Sequence, residues 1–519
     1  MKKIGKFVLN GIMMTVCSIL MRTVAVSFNV YVANAAGAEA VGLYSLLSSV
    51  YGFAVTLALS GLHFAVTRLI SESLAVGNMQ AVSNIMKKGF IYAAAFGILS
   101  FTMLTLLARP IAVNWLGDGR VVKPLKILAV CLPLISLSSV INGYFSAVRR
   151  VFKSAISQLL EMTLKIAATV TLFTVIFIKD AEIACILLVC GSAFSEGCVF
   201  ILNMIMYLFD KAIHFKKKDI KTQIIPRRTT DSSILGISLP IALTSYVRSA
   251  LLAVEHSLIP KGLQKYGSDR SGALASYGTL SSMALPIINF PYALIGSFSS
   301  LLIPEVAECR ARGEKRHVKY IAYRTYQSGI TFAICVLGIF FTFSAPLGSI
   351  LYSSDEASLY IKLLAPLVPI MYTDSVTDAI LKGMGEQLFA MKVNIADACI
   401  SVILVYFLVP IYGIYGYIAT IYIAEIINAS FSIYRMIKVT KLRPPLPKFI
   451  LCPLFCALGA YSVSNITSRL LFESYSPAVL TANVIFYIFI YSIFIICIGG
   501  VSRDDLSWLK SIFVKKKKY

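Results

Sequence analysis

This chain reads as an all-α, polytopic membrane protein of about fourteen transmembrane helices. Three observations lead there. The 519 residues are 58% hydrophobic and only 14% charged, which leaves too little polar material to cover a water-soluble protein of this length. The apolar residues gather in runs of roughly 18–25, the length that crosses a ~30 Å hydrocarbon layer as a helix. Lys and Arg crowd into alternate loops between those runs, as the positive-inside rule requires.

The first run, 8–33, follows Met1-Lys-Lys-Ile-Gly-Lys6 and precedes Ala33-Asn34-Ala35, so it resembles a signal peptide with its cleavage site. It is too long for one and carries Arg22, and it is counted as a true span. The next runs are 41–67, 88–108, 124–147, 155–177 and 183–208. A basic stretch from Lys211 to Arg228 separates them from 233–258, 273–302, 323–345, 360–381, 392–410 and 414–436. Arg443-Pro-Pro-Leu-Pro447 is a stiff connector to the last two, 449–466 and 478–499, which a basic tail follows.

With the N-terminus placed inside, 35 of the 48 Lys and Arg fall in inward segments, ten in outward segments and three, Arg22, Lys165 and Arg248, within spans. The expected protein is multi-pass, in a bacterial cytoplasmic membrane, with both termini cytoplasmic. The net charge of +23 is therefore a topology signal spread over many loops, not a patch for nucleic acid. Eleven cysteines lie scattered, nearly all in apolar runs, and the Cys452/Cys456 pair has no histidine beside it, so they read as buried structural thiols and no metal is expected.

An internal repeat organises the chain. Tyr44-Ser-Leu-Leu-Ser-Ser49 matches Tyr277-Gly-Thr-Leu-Ser-Ser282 at an offset of 233, as Ile70-Ser-Glu72 matches Ile303-Pro-Glu305. At an offset of 236, Lys126-Ile-Leu-Ala-Val-Cys-Leu-Pro133 matches Lys362-Leu-Leu-Ala-Pro-Leu-Val-Pro369, and Pro110 matches Pro346. At 226, Arg22 matches Arg248. Each half holds six spans, and an even number returns the chain to its starting side, so the halves are parallel repeats. The expected division is an N-lobe, 1–218, a C-lobe, 219–440, and a C-terminal helix pair with a basic tail, 441–519.

A charge at mid-bilayer costs ~2.5–3.5 kcal/mol even on the lenient insertion scale, so such residues are the default functional candidates. Arg22 and Arg248 could place two positive charges on facing walls of a central cavity; a neighbouring carboxylate neutralising each is the structural alternative. Glu255 lies seven residues after Arg248, on the same helix face. Glu161 and Lys165 stand four apart in the favourable order for an intrahelical pair, which is as natural a reading as a ligand site. Asp374 and Asp378 are also four apart; Asp378 can reach Lys382, which leaves Asp374 the freer carboxylate and a candidate for a proton or Na⁺. Glu196, Asp397 and Glu425 are further intramembrane acids. His63, alone on its helix, reads as a satisfied core histidine rather than a proton relay.

No P-loop, H-E-x-x-H or G-x-S-x-G occurs, and the outward loops are too short for a catalytic domain, so a transporter without cofactor is expected rather than an enzyme.

Several ordered stretches resemble the stage V sporulation protein B and polysaccharide-export family. In the first half these are Met21-Arg22, Gly42-Leu-Tyr44 and Thr67-Arg-Leu-Ile-Ser-Glu72. In the second they are Pro240, Glu255-His-Ser-Leu-Ile-Pro260, Tyr277-Gly278, Pro286, Pro291-Tyr292 and Leu302-Ile-Pro-Glu305. The chain departs from the family in carrying Glu at 255, where members often carry Asp. The resemblance extends over essentially the whole chain and implies membership of the multidrug/oligosaccharidyl-lipid/polysaccharide flippase superfamily. It implies two six-helix lobes in a V, alternating access to a central cavity, and a lipid-linked glycan such as lipid II or a capsule precursor.

The expected function is a monomeric flippase for an undecaprenyl-pyrophosphate-linked oligosaccharide or peptidoglycan precursor. Arg22, Arg248 and Glu255 would bind substrate, and Asp374, Asp378, Glu161 and Lys165 would couple an ion, H⁺ or Na⁺. The alternatives are a drug or cation antiporter of the same superfamily, which favours an acidic cavity, and a polytopic glycan polymerase, which needs a sizeable outer loop.

Overall fold

A computed structural model describes residues 2–75, 78–148, 150–177, 180–215, 230–442, 447–471 and 476–498. Among them there is no strand. In chain order the α-helices are α1 (Lys2–Leu59), α2 (Leu62–Ala75), α3 (Met79–Pro110), α4 (Val122–Ala129), α5 (Cys131–Ala147), α6 (Val151–Val175), α7 (Ala181–Phe215), α8 (Thr230–Tyr266) and α9 (Arg270–Gly278). They continue with α10 (Leu285–Asn289), α11 (Tyr292–Ala311), α12 (Lys315–Tyr352), α13 (Asp355–Leu364), α14 (Val368–Gly383), α15 (Gln387–Tyr412), α16 (Ile414–Thr440), α17 (Cys452–Leu471) and α18 (Pro477–Cys497).

Eleven helical stretches among the described residues are long and apolar enough to cross a membrane, so this is a multi-pass membrane protein. Eleven does not by itself establish fourteen. The stretch Leu20–Leu74 runs over two expected spans, and 233–258 and 273–302 are not among the eleven. The second of these is broken into α9, a π-helical turn at Thr279–Ala284, α10 and α11. The loop at Lys217, the connector at 443–446 and the basic tail lie outside the described residues.

The repeat shows in matched irregularities. After Pro110, α3 gives way to a π-helical turn at Ile111–Trp115; its partner Pro346 sits in α12 three residues past a kink at Phe343. Near Pro133 the chain breaks between α4 and α5, and near Pro369 between α13 and α14. A proline lacks the N–H that would continue the ladder, so each pair marks the same discontinuity twice.

By contact, the chain forms two compact units, residues 35–278 and residues 1–34 with 279–519. In the unit 35–278, α2, α3, α5, α7 and α8 bury a core that includes Leu62, Ile70, Ile85, Val140, Phe145 and Ile234. Glycine sets its closest helix crossing: a Cβ on Gly42 of α1 would overlap the Leu274 carbonyl of α9. Arg150, Lys153 (2.8 Å) and the Tyr144 hydroxyl (2.9 Å) converge on buried Asp210. In the other unit, α17 and α18 dock on α12. Tyr487 donates to the Ala457 carbonyl (3.1 Å), Tyr491 to the Thr331 carbonyl (2.8 Å), and Gly338 of α12 leaves room for the Tyr487 hydroxyl.

Candidate functional site

In the unit formed by 1–34 and 279–519, α1, α12 and α18 enclose a cavity of about 660 Å³. Its wall is chiefly apolar and includes Thr23, Ser27, Phe290, Gln327, Phe332 and Tyr491. Arg22 is the residue before Thr23 on α1. It is exposed, and its guanidinium reaches the Asn289 carbonyl at 3.4 Å. Among the described residues no carboxylate pairs with it.

The same unit gathers four acids. Asp378 pairs with Lys382 (3.0 Å), as the i,i+4 spacing led one to expect. Asp374, one turn earlier on α14, accepts from the Asn428 side-chain amide (3.2 Å) of α16 and has Ser432 beside it, with no cation at pairing distance among the described residues. Asp397 of α15 and Glu425 of α16 complete the group within electrostatic reach of Asp374. The helix spacing that separated Asp378 from Asp374 was legible in sequence; the approach of α15 and α16 was not, because their acids are far along the chain.

In the unit 35–278, Arg248 is exposed on α8 and meets no carboxylate partner among the described residues. Its helix is held by Ser249 to Thr56 of α1 (2.9 Å) and by Tyr246 to Ser60, just past the end of α1 (2.5 Å). Two turns on, Glu255 is 8% exposed, so the face shared by Arg248 and Glu255 passes from surface to interior along α8. His256 shares a 2.7 Å hydrogen bond with the hydroxyl of fully buried Tyr277. His63 approaches the Ser139 carbonyl at 3.4 Å, a local contact of α2 with α5.

Glu161 and Lys165 do not close on each other. The Lys165 ammonium donates to the Tyr44 hydroxyl (3.2 Å), and Glu161 lies beside Glu196 of α7. Tertiary packing, which brings α1 and α7 against α6, supplies the neighbours in place of the intrahelical pair.

At the end of α3, Asp118 is 3% exposed and bound by Arg120 (2.9 Å) and Arg270 (3.2 Å), while Arg120 also holds Glu39 (2.9 Å). Burial pushes the Asp118 carboxyl up, but the hydrogen bonds and charge of Arg120, with the charge of Arg270, outweigh it and hold the group below the usual carboxylate range. Sequence reading missed this cluster, since its members come from three separated stretches.

The model of the polysaccharide biosynthesis protein family matches residues 7–295. The stage V sporulation protein B of Bacillus subtilis (strain 168) is 26% identical over 396 residues, 75% of each chain. The lipid II flippase MurJ of the same organism is 21% identical over 399 residues, 71% of each chain. Among solved structures, the lipid II flippase MurJ in an inward closed conformation superposes with a TM-score of 0.70 at 14% identity, covering 93% of this chain and 98% of that one. An inward-facing multidrug resistance MATE family transporter of the MOP superfamily gives 0.61 at 13% identity, covering 82% and 96%. The fold is that of these polytopic transporters.

Proposed function

Because the chain belongs to the polysaccharide biosynthesis protein family, we propose that it is a flippase, not an enzyme, for a lipid-linked oligosaccharide or peptidoglycan precursor in the bacterial cytoplasmic membrane. The observation that carries this reading is an amphiphilic arrangement on one helix: exposed Arg22 beside the apolar cavity lined by Thr23 and Ser27. A cavity of about 660 Å³ lies in the range, roughly 300–1,000 Å³, that encloses a small ligand, so it suits part of a polyprenyl chain. A guanidinium suits the pyrophosphate, since its planar fork binds phosphate oxygens bidentately.

The sugars and pyrophosphate cannot cross hydrocarbon alone, because they would lose hydration with nothing in exchange. Arg22 and Arg248, repeat counterparts that both lack a carboxylate among the described residues, would take up the charge, with Glu255 contributing to the saccharide. The repeat lobes 1–218 and 219–440, with the pair 441–519, are the proposed moving parts. Asp374, Asp378, Glu161 and Lys165 are the proposed ion-coupling residues. Asp374 and the three acids around it favour a second reading, a cation-coupled drug antiporter; the two arginines weigh against it.

Depletion of the protein should lead lipid-linked saccharide precursors to accumulate, measured by mass spectrometry of the lipid fraction; unchanged precursor levels would sink the reading. At the site, a charge-assisted hydrogen bond is worth roughly 1.5–3 kcal/mol, so Arg22→Ala or Arg248→Ala should weaken headgroup binding by about ten- to hundredfold. Arg→Lys should restore only part, because an ammonium lacks the fork. Normal membrane abundance with normal binding would remove the arginines from the site.

A further inference from the structure

We propose that the inner end of the seam between α12 and α17 binds one anionic phospholipid of the inner leaflet, its phosphate on Arg316 and Lys319 and its acyl chains along α17. The inference goes beyond the transported substrate, since none of these residues lines the cavity beside Arg22. It starts from helix length. The 38 residues of α12 extend about 57 Å at 1.5 Å per residue, and the hydrocarbon core takes up only ~30 Å of that. The apolar run starts at 323, so residues 315–322 reach into the inner headgroup layer of the predicted topology.

Those first two turns are two-faced. Val318, Ile321 and Ala322 are buried, the first two in a small core with Leu302, Val306 and Cys309 of α11. At about 100° per residue, Arg316, Lys319, Tyr320 and Tyr323 share the opposite face. Arg316, Lys319 and Tyr320 are exposed. Neither cation meets a carboxylate among the described residues, whereas nearby Arg312 pairs with Glu308 (2.6 Å) and Lys382 with Asp378 (3.0 Å). One turn apart, Arg316 and Lys319 can hold one phosphate between them, the first through its planar fork and the second as a point charge. Tyr320 lies between two further cationic or aromatic groups: the Arg324 guanidinium is 5.2 Å from its ring centre and the His317 ring 6.3 Å. Tyrosine suits this depth, since it joins an apolar ring to a polar hydroxyl at the headgroup boundary.

A second observation supplies the place for the chains. Tyr323 meets Phe449, in the turn before α17, edge-on at 5.0 Å. Phe341, five whole turns farther along the same face of α12, meets Tyr461 of α17 at 6.4 Å. The cationic stripe therefore runs directly into α17. There Ile450, Leu454 and Leu458 are exposed at a spacing of four, with Phe455 66% exposed beside them. Paired cations at headgroup depth, continued by an apolar face within the hydrocarbon layer, match a whole anionic phospholipid. A soluble anion would use only the cations, and a neutral lipid only the apolar face.

The test uses the purified full chain in dodecyl maltoside, with dioleoyl phosphatidylglycerol and dioleoyl phosphatidylcholine as probes. Native mass spectrometry counts retained lipid, and the thermal midpoint is read alongside. Phosphatidylglycerol should be retained and should raise the midpoint; phosphatidylcholine should do neither. A cation at the membrane surface is worth about fivefold in affinity for anionic lipid, so Arg316→Gln with Lys319→Gln should weaken retention by more than about tenfold. The charge-keeping pair Arg316→Lys with Lys319→Arg should retain most of it. Lys392→Gln, which removes an exposed cation of α15, should leave it unchanged. Equal retention of the two lipids, or full retention of phosphatidylglycerol by the double glutamine variant, would overturn the proposal. So would a midpoint raised as much by inorganic phosphate, which would mean an anion site without chains. Displacement of phosphatidylglycerol by an undecaprenyl-pyrophosphate saccharide, lost in the double glutamine variant, would give the stripe to the transported substrate and also sink the proposal.

Discussion

Asp118 illustrates how a single buried charge becomes a stability switch. Its carboxylate accepts from the backbone N–H of Arg120 (2.9 Å) and from the guanidinium groups of Arg120 and Arg270. Its folded-state pKa is lowered despite burial, so the charged form is favoured by folding. The stabilisation is therefore fully present above the unfolded carboxyl value and is lost as pH falls through the lower folded value. Thermal denaturation of the purified chain should show its midpoint dropping on acidification below the ordinary carboxylate range. Asp118→Asn should lower the midpoint at neutral pH and flatten that acid limb, since it leaves two arginines without their shared anion; breaking a buried pair costs about 3–5 kcal/mol. An Asn variant with the same acid limb as the parent would assign the pH dependence elsewhere.

At the scale of an element, α1 is the informative case. Expected span 8–33 and the first part of 41–67 lie in α1, two helices that meet at Gly37 with no loop between them, because the intervening Ala33-Asn-Ala-Ala-Gly-Ala-Glu39 is rich in helix formers and contains no proline. The direction changes at Gly37, whose φ of 81° is a conformation open to glycine at no steric cost. Beyond it, Gly42 lets α1 meet α9 backbone to backbone. Gly42→Ala would drive a methyl group into the Leu274 carbonyl, and backbone atoms cannot swing aside as a side chain can. Overpacking of this kind costs about 1–3 kcal/mol or more. The variant should reach the membrane at reduced abundance and elute as a broadened peak in detergent, while Gly52→Ala, with open space around it, should match the parent. Equal abundance and elution of the two variants would show that the crossing tolerates separation.

For the whole molecule, the testable quantity is topology. Cysteines introduced at Ser268 and Asp355 should react with an impermeant maleimide added to intact cells, and one at Lys315 should react only after permeabilisation. Asp355 and Lys315 are both exposed, and they bracket α12, whose 38 residues exceed the ~20 needed to cross the hydrocarbon layer. Labelling of all three from one side would overturn the even-numbered, both-ends-inside arrangement.

The sequence by itself determined the all-α class, the membrane setting and the doubled pattern of prolines, Pro110 with Pro346 and Pro133 with Pro369. These rest on run length, composition and local backbone chemistry, which neighbouring residues settle among themselves. It also marked Arg22, Arg248, Glu161, Lys165 and Asp374, because a charge in an apolar run is conspicuous whatever surrounds it. Partner choice was decided only by tertiary structure. Lys165 bonds Tyr44 rather than Glu161, Glu161 lies beside Glu196, and Asp118 draws on Arg270 from far along the chain as well as on nearby Arg120. The physical reason is reach: a side chain bonds what packing brings within about 3 Å, and helices that pack together can be separated by any length of chain.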